Sequence, residues 1–496
     1  MKKTKLWVRV LAVALAALIV GGAVVSILVS TAGAEETVND ACEMEITYLQ
    51  EEQALHIRQR LVFHNRTDGP LDRVLFQAAA NAFRRQSALP YEAGDWGDVF
   101  PSGYLPSGMD LVEVRVDGAP ADYGFQGENE TALRVACQLA PGAQAAFEFD
   151  YYLLLTQCSA FCGLGDTDVR LSGFCFLPGI PAGGDFVLRQ PLGFTRFVET
   201  AATDFAVTLS LPEGCIPGGT GAARAEAGEE GVTLWRIQAK GVRDFALSFS
   251  RRWRETTAVT DSGVTLRWLG TGRSGGNVLQ LARQALELYE EWLGPFPYEG
   301  FDILQSDIAP SALSFPGCLW LPEAALSDEA ALKQTLWSAL AEQYIGQAAW
   351  TEPVADAWLS EAPCSYLALL CEEELNGYEA FLTQLNRVVL DSLNITLPGG
   401  LRVSSSADLF LREEYELIVV GRGTVVMHEM RQAVGREAFL DAMRRFYEMG
   451  LGRDVLTELD LARAFDEAAG GSWEPYLTGW LFGVEEYLQQ RVEWYE

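Results

Sequence analysis

Ser338-Ala339-Leu340-Ala341-Glu342-Gln343-Tyr344 and, further on, Trp358-Leu359-Ser360-Glu361 are the two strings on which the reading of this chain turns. The first ends a run in which Leu332, Leu336, Leu340 and Tyr344 recur every four residues, the spacing of one helix face. Ser327 is a suitable N-cap, with Asp328 and Glu329 in the first turn, so a helix is predicted from there to about Gly346. The second string opens another helix, predicted over Glu361 to Leu375.

Working outward, the second half keeps the helical period. Apolar residues at 278, 281, 282, 285, 288, 289 and 292 predict a helix ended by Gly294-Pro295, and a short strand follows at Phe301 to Gln305. Further helices are predicted over Gly423 to Val434, Phe439 to Met449 and Glu458 to Ala468. The first half alternates instead. Glu45 to Leu49 pairs across Glu51-Glu52-Gln53 with Leu55, Ile57, Leu61 and Phe63, and strands are predicted at Leu111 to Val116, Ala145 to Leu154, Phe205 to Leu211 and Phe245 to Phe249. The fold class is therefore α+β: an N-terminal β-sandwich-like domain followed by a mainly helical domain. The change of period puts the boundary near residues 250–262, giving domains at 35–255 and 256–496 behind an N-terminal segment, 1–34.

That segment carries Lys2, Lys3, Lys5 and Arg9 and then runs uncharged from Val10 to Val29, long enough to span a bilayer. It reads as a membrane anchor, or as a signal peptide cleaved after Ala32-Gly33-Ala34. Either way the rest of the chain is expected outside the cytoplasm, as a single-pass membrane protein or a secreted one. With 68 acidic against 37 basic residues the net charge is −31, which argues against nucleic acid as a partner. Only three histidines occur, His56, His64 and His428, so a site built on several imidazoles is nearly excluded. The nine cysteines form no regular framework; they read as buried apolar residues, or at Cys158, Cys162 and Cys175 as a disulfide or metal knot.

The order of elements resembles the zinc aminopeptidases of the membrane alanyl aminopeptidase and leukotriene hydrolase type, gluzincins with a thermolysin-like catalytic domain. The resemblance rests on Gly294-Pro295-Phe296-Pro297-Tyr298, the Phe315-Pro316-Gly317 turn, the Glu342 helix, Trp358-Leu359-Ser360-Glu361 and the Gly423 helix, and spans about residues 45–485. In that family zinc is held by H-E-x-x-H on one helix and by the glutamate of W-L-x-E eighteen residues on. Histidines four apart share a helix face, and the glutamate between them activates the bound water. Counting back from Glu361 puts the family's histidines at Ser338 and Glu342 and its general base at Ala339. The family's amine-binding glutamate falls at Ser314, and its transition-state tyrosine, five residues after Tyr415, at Val420. Of these positions only Glu361 and Tyr415 match.

The resemblance therefore implies a degenerate peptidase with no catalytic residues and no metal: zinc is the family's cofactor, but its ligands are lost. The remnant pocket would comprise Ser338, Ala339, Glu342, Glu361, Ser314, Tyr415 and Val420. The expected role is binding of a peptide, protein partner or envelope component through the former cleft. A structural subunit of a membrane assembly, such as a transporter, is the alternative, and an active hydrolase with a non-standard site the third. His428-Glu429 opens like a zinc helix, but Gln432 stands where a second histidine should be, so His428 is expected on a helix surface. Cys364 is read as helix-start packing beside Pro363 rather than as a nucleophile.

Overall fold

Strict alternation builds the first half. In β1 (Asp40–Leu49) Cys42, Met44 and Ile46 turn inward while Glu43 and Glu45 face water, and β2 (Ala54–His64) pairs with it antiparallel through the register Leu49↔Ala54. The computed structural model describes residues 39–182, 185–394 and 400–482. Six more strands complete an eight-stranded sheet: β3 (Gly108–Val116), β4 (Ala119–Pro120), β5 (Gln144–Leu154), β6 (Thr203–Pro212), β7 (Ala222–Ala227) and β8 (Val232–Val242). Their order is β7-β8-β6-β1-β2-β5-β3-β4, with β1 and β6 parallel. Two four-stranded sheets also belong to this half.

The second half is layered around a five-stranded sheet. Its strands are β9 (Arg254–Val259), β10 (Thr265–Gly270), β11 (Gly300–Ser306), β12 (Leu313–Phe315) and β13 (Cys318–Pro322), in the order β9-β10-β11-β13-β12. The pairs β10–β11 and β11–β13 are parallel, and α1 (Gly275–Trp292) makes the crossover between β10 and β11. Then come α2 (Glu329–Tyr344), α3 (Trp358–Asn376), α4 (Tyr378–Asn394), α5 (Gly423–Val434), α6 (Arg436–Gly450), α7 (Glu458–Ala469) and α8 (Glu474–Phe482). The fold is thus α+β, with sheets concentrated in the N-terminal part and helices in the C-terminal part.

Sheet membership changes between Ser250 and Arg254, yet the hydrophobic core runs on without a break. Residues from Asp40 onward form one compact unit. The predicted signal or anchor over 1–34 lies outside the described residues, among which no helix is long and apolar enough to cross a membrane. Ser327 does not cap α2: its hydroxyl donates to the Ala324 carbonyl, and Asp328 accepts from the amides of Ala330 and Ala331 instead. A carboxylate at that position also suits the positive end of the helix dipole. All nine cysteines are free thiols, eight of them buried. At the supposed knot, Cys158 Sγ donates to the Cys162 carbonyl at 3.6 Å, so no disulfide forms there.

Candidate functional site: the cleft of Glu342 and Glu361

α2 is buried on most sides, so its last turn is fixed by packing as well as by hydrogen bonds. Gln343 accepts from the Gly317 amide at 2.8 Å and donates to Ser314 Oγ at 3.1 Å and to the Ala339 carbonyl at 3.0 Å. Gln347 donates to the Ser314 carbonyl at 3.3 Å. The turn that ends β12 is thereby clamped to the helix, and Ser314 is held beside the Glu342 carboxylate as a hydrogen-bond partner. One turn earlier, Ser338 Oγ accepts from Gln334, which also donates to Ser365 Oγ on α3. Ala339 is buried in the core.

Glu361 sits in the first turn of α3, where the helix dipole favours a negative charge. Tyr415 donates to its Oε1 at 2.9 Å, and Thr195 stands 3.4 Å from the same oxygen and 3.2 Å from the Tyr415 hydroxyl. Arg196, next in sequence, donates to the Gly346 carbonyl at 2.9 Å and to Ser360 Oγ at 3.0 Å. The five-residue step from Tyr415 to Val420 crosses a π-helical segment, Glu416–Arg422. An i→i+5 turn returns the fifth residue toward the face of the first, and Val420 is a half-buried side chain packed on the core. The structure therefore gathers Glu342, Glu361, Ser314 and Tyr415 into one polar cluster. Ser338 is tied to Gln334, and Ala339 and Val420 contribute packing.

The electrostatics of the cleft follow from burial and like charge. Glu342 is pushed up to about 7, first by loss of water and next by the negative charge of Glu361; Arg196 and Ser314 oppose the rise. Burial raises Glu361 too, against the hydrogen bonds of Tyr415 and Thr195 and the charge of Arg196. Between the usual carboxylate range and about 7, the folded chain holds a proton on Glu342 that the unfolded chain releases. Stability should accordingly fall as pH rises from about 4.5 to 7 and level off above, and Glu342→Gln should flatten that slope. Urea midpoints measured across this window check the sign; a native midpoint that rises through it would contradict the assignment.

One sequence expectation changes here and another holds. His428 is buried rather than at a helix surface: its Nδ1 shares a 2.9 Å hydrogen bond with Tyr366, and burial together with Arg431 pushes it down to about 4. It stays neutral at physiological pH as an internal partner of Tyr366. Cys364 is a buried thiol donating to the Ile345 carbonyl at 3.4 Å, and desolvation holds it well above the ordinary thiol range, which suits packing and not attack.

Thr195, Arg196 and Gly346 were invisible to pattern reading. Thr195 and Arg196 come from an irregular segment between strands, with no periodicity to announce them. The one local signal is Gly346, whose φ of +118° leaves no room for a side chain, because a Cβ would lie 2.9 Å from Arg196 Nη2 and from Ser360 Cβ.

No protein-family model matches the chain. No curated protein matches it either. Among solved structures it is similar to the M1 zinc metallopeptidase of Deinococcus radiodurans. A glutamate-to-alanine mutant of that enzyme aligns with a TM-score of 0.63 at 16% identity, over 90% of this chain and 94% of the other. The same mutant bound to a Tyr-Ser-Ala substrate gives 0.64 at 16%, over 90% and 93%. A two-domain M1 zinc metallopeptidase mutant bound to L-tryptophan gives 0.63 at 17%, over 89% and 93%. The fold of this chain resembles that of the M1 zinc metallopeptidases.

That fold implies a zinc ion, and the donors at the cleft do not suit one. Zinc is held by at least three protein donors drawn from imidazole, thiolate and carboxylate. Here Glu342 and Glu361 are the two carboxylates, Ser338 and Ala339 supply no imidazole or base, and a guanidinium acts on both carboxylates. Among the described residues no group of three or more His, Cys, Asp or Glu is arranged to hold a metal ion.

Proposed function

We propose that this chain is a non-catalytic relative of the zinc aminopeptidases that binds a peptide or the terminus of a protein partner in the former peptidase cleft. The observation that carries the reading is Ser338, Ala339 and Glu342 on a helix packed against the one that bears Glu361, with Tyr415 still bonded to Glu361 at 2.9 Å. The polar cluster is, on this reading, kept for binding while the groups that would activate water are replaced. On this reading the chain divides near residue 255 into a β-sandwich-like domain and a thermolysin-like one. Residues 1–34 anchor it to the membrane, with the rest outside the cytoplasm.

The test uses Tyr-Ser-Ala, the peptide bound by the structural relative. Calorimetry on the full-length chain in detergent should show saturable binding with no tyrosine released over hours. Glu361→Gln should weaken that binding by about tenfold, the worth of one charge-assisted hydrogen bond. Cleavage of the peptide that a chelator stops would overturn the non-catalytic half of the reading. Absence of binding by this and other short peptides would overturn the ligand half.

A further inference from the structure

We infer that Arg196 is the resident cation of this cleft, taking the electrostatic place that zinc has in the M1 peptidases and cross-linking the two helices that carry Glu342 and Glu361. The inference stands whether or not the cleft binds a peptide. Three independent features support it.

The first is connectivity. One guanidinium donates to Gly346, just past the end of α2, and to Ser360, the neighbour of Glu361 in α3. A metal ion in this fold joins the same two helices through side chains; Arg196 joins them through a carbonyl and a hydroxyl. The second is fit. Gly346 approaches so closely that any side chain there would strike Arg196 Nη2 and Ser360, and the Arg196 guanidinium also lies 5.7 Å from the centre of the Trp350 ring. The arginine is thus seated by a backbone shaped around it. The third is the field. The charge of Arg196 favours the ionised forms of Glu342, Glu361, Cys364 and Tyr415. Glu416 acts on Glu361 with the opposite sign. Arginine suits such a post because it remains protonated and offers a planar fork of donors.

A cleft that carries its own cation has no use for a divalent one, and removing the cation should create the need. Thermal unfolding of the full-length protein at pH 8, above the value of about 7 to which Glu342 is raised, tests this in four forms: native, Arg196→Lys, Arg196→Gln and Arg196→Gln/Glu342→Gln. The native melting temperature should be the same in chelator and in millimolar manganese. Arg196→Gln should lower it by about 3–6 °C, as expected when a cation that bridges two helices beside two carboxylates is removed from a chain of this size. At least half of that loss should return with manganese, or on adding Glu342→Gln; Arg196→Lys should keep most of the native value. A merely structural arginine would give losses that are blind to manganese and additive with Glu342→Gln, and that result would overturn the inference. So would a native protein destabilised by chelator. If Arg196→Gln does not fold, the charge-balanced double variant should, and its failure as well would equally count against the proposal.

Discussion

Incubated with zinc and offered an amino-acid arylamide, the full-length chain is expected to release chromophore no faster than buffer, and to retain no zinc after desalting. The magnitudes leave little room for another outcome. Zinc in such sites lowers the pKa of its water from 15.7 to about 7, and in the register that the resemblance implies its two imidazole positions would be Ser338 and Glu342. The general base position is Ala339, a buried methyl group, and loss of a base alone removes about 10²–10⁴ in rate. In the same implied register Val420 would replace a hydroxyl that donates to the developing oxyanion, a further loss of about 2.7–4 kcal/mol. The constructive arm is more telling. Ser338→His/Ala339→Glu/Glu342→His places two imidazoles four residues apart on α2 opposite Glu361, and should bind about one zinc per chain. Adding Arg196→Gln should tighten that zinc, because the guanidinium otherwise repels it. Elemental analysis and the arylamide assay check both arms. Chelator-sensitive hydrolysis by the native chain would end the non-catalytic reading.

How much of this was legible beforehand depended on whether a residue's role was local. The hairpin of Asp40–Leu49 and Ala54–His64 follows from alternation, since a slip by one residue would turn Met44, Ile46 and Ile57 to water. The helix Gly423–Val434 was legible because Gly435, at φ +84°, ends it in a conformation few other residues accept. The two helices themselves were legible as well, and they bring Glu342 and Glu361 close enough for the charge of Glu361 to raise Glu342. What was hidden is long-range or irregular. The helix Tyr378–Asn394 went unread, and the π-helical turn Glu416–Arg422 has no signature, since its bonding period matches neither the 3.6 nor the 2.0 repeat. Thr195 and Arg196 reach residues more than 140 positions away from a stretch without pattern. The cysteines read first as buried apolar residues with a knot at Cys158, Cys162 and Cys175 left open; the structure has them as free thiols, most in core positions.

Asp168→Asn should be the most destabilising conservative substitution in the chain, by about 3–5 kcal/mol, because it strands a fully buried cation. Asp168 and Arg170 both have side chains without solvent exposure and pair directly. Arg170 also donates to the carbonyls of Ala160 and Cys158. Asp168 accepts from Ser306 Oγ at 2.7 Å, Ser248 Oγ at 3.1 Å and the Asp307 amide at 3.3 Å. Asp307 in turn accepts from the hydroxyl of Thr167 at 2.6 Å. The pair therefore fastens a strand of the first half, Val169–Leu171, to the end of β11 and the segment that leads to Ser314. An asparagine of the same shape keeps much of the hydrogen bonding but removes the charge that compensates Arg170. Desolvating an ion pair is itself expensive, so replacing both partners with apolar groups of similar volume should be milder than replacing one. Urea denaturation should accordingly rank Asp168→Asn and Arg170→Met below Asp168→Leu/Arg170→Met in stability. If both single variants lie within about 1 kcal/mol of the native chain, the pair is solvated or dispensable, and the seating of Ser314 must come from Gln343 and Gln347 alone.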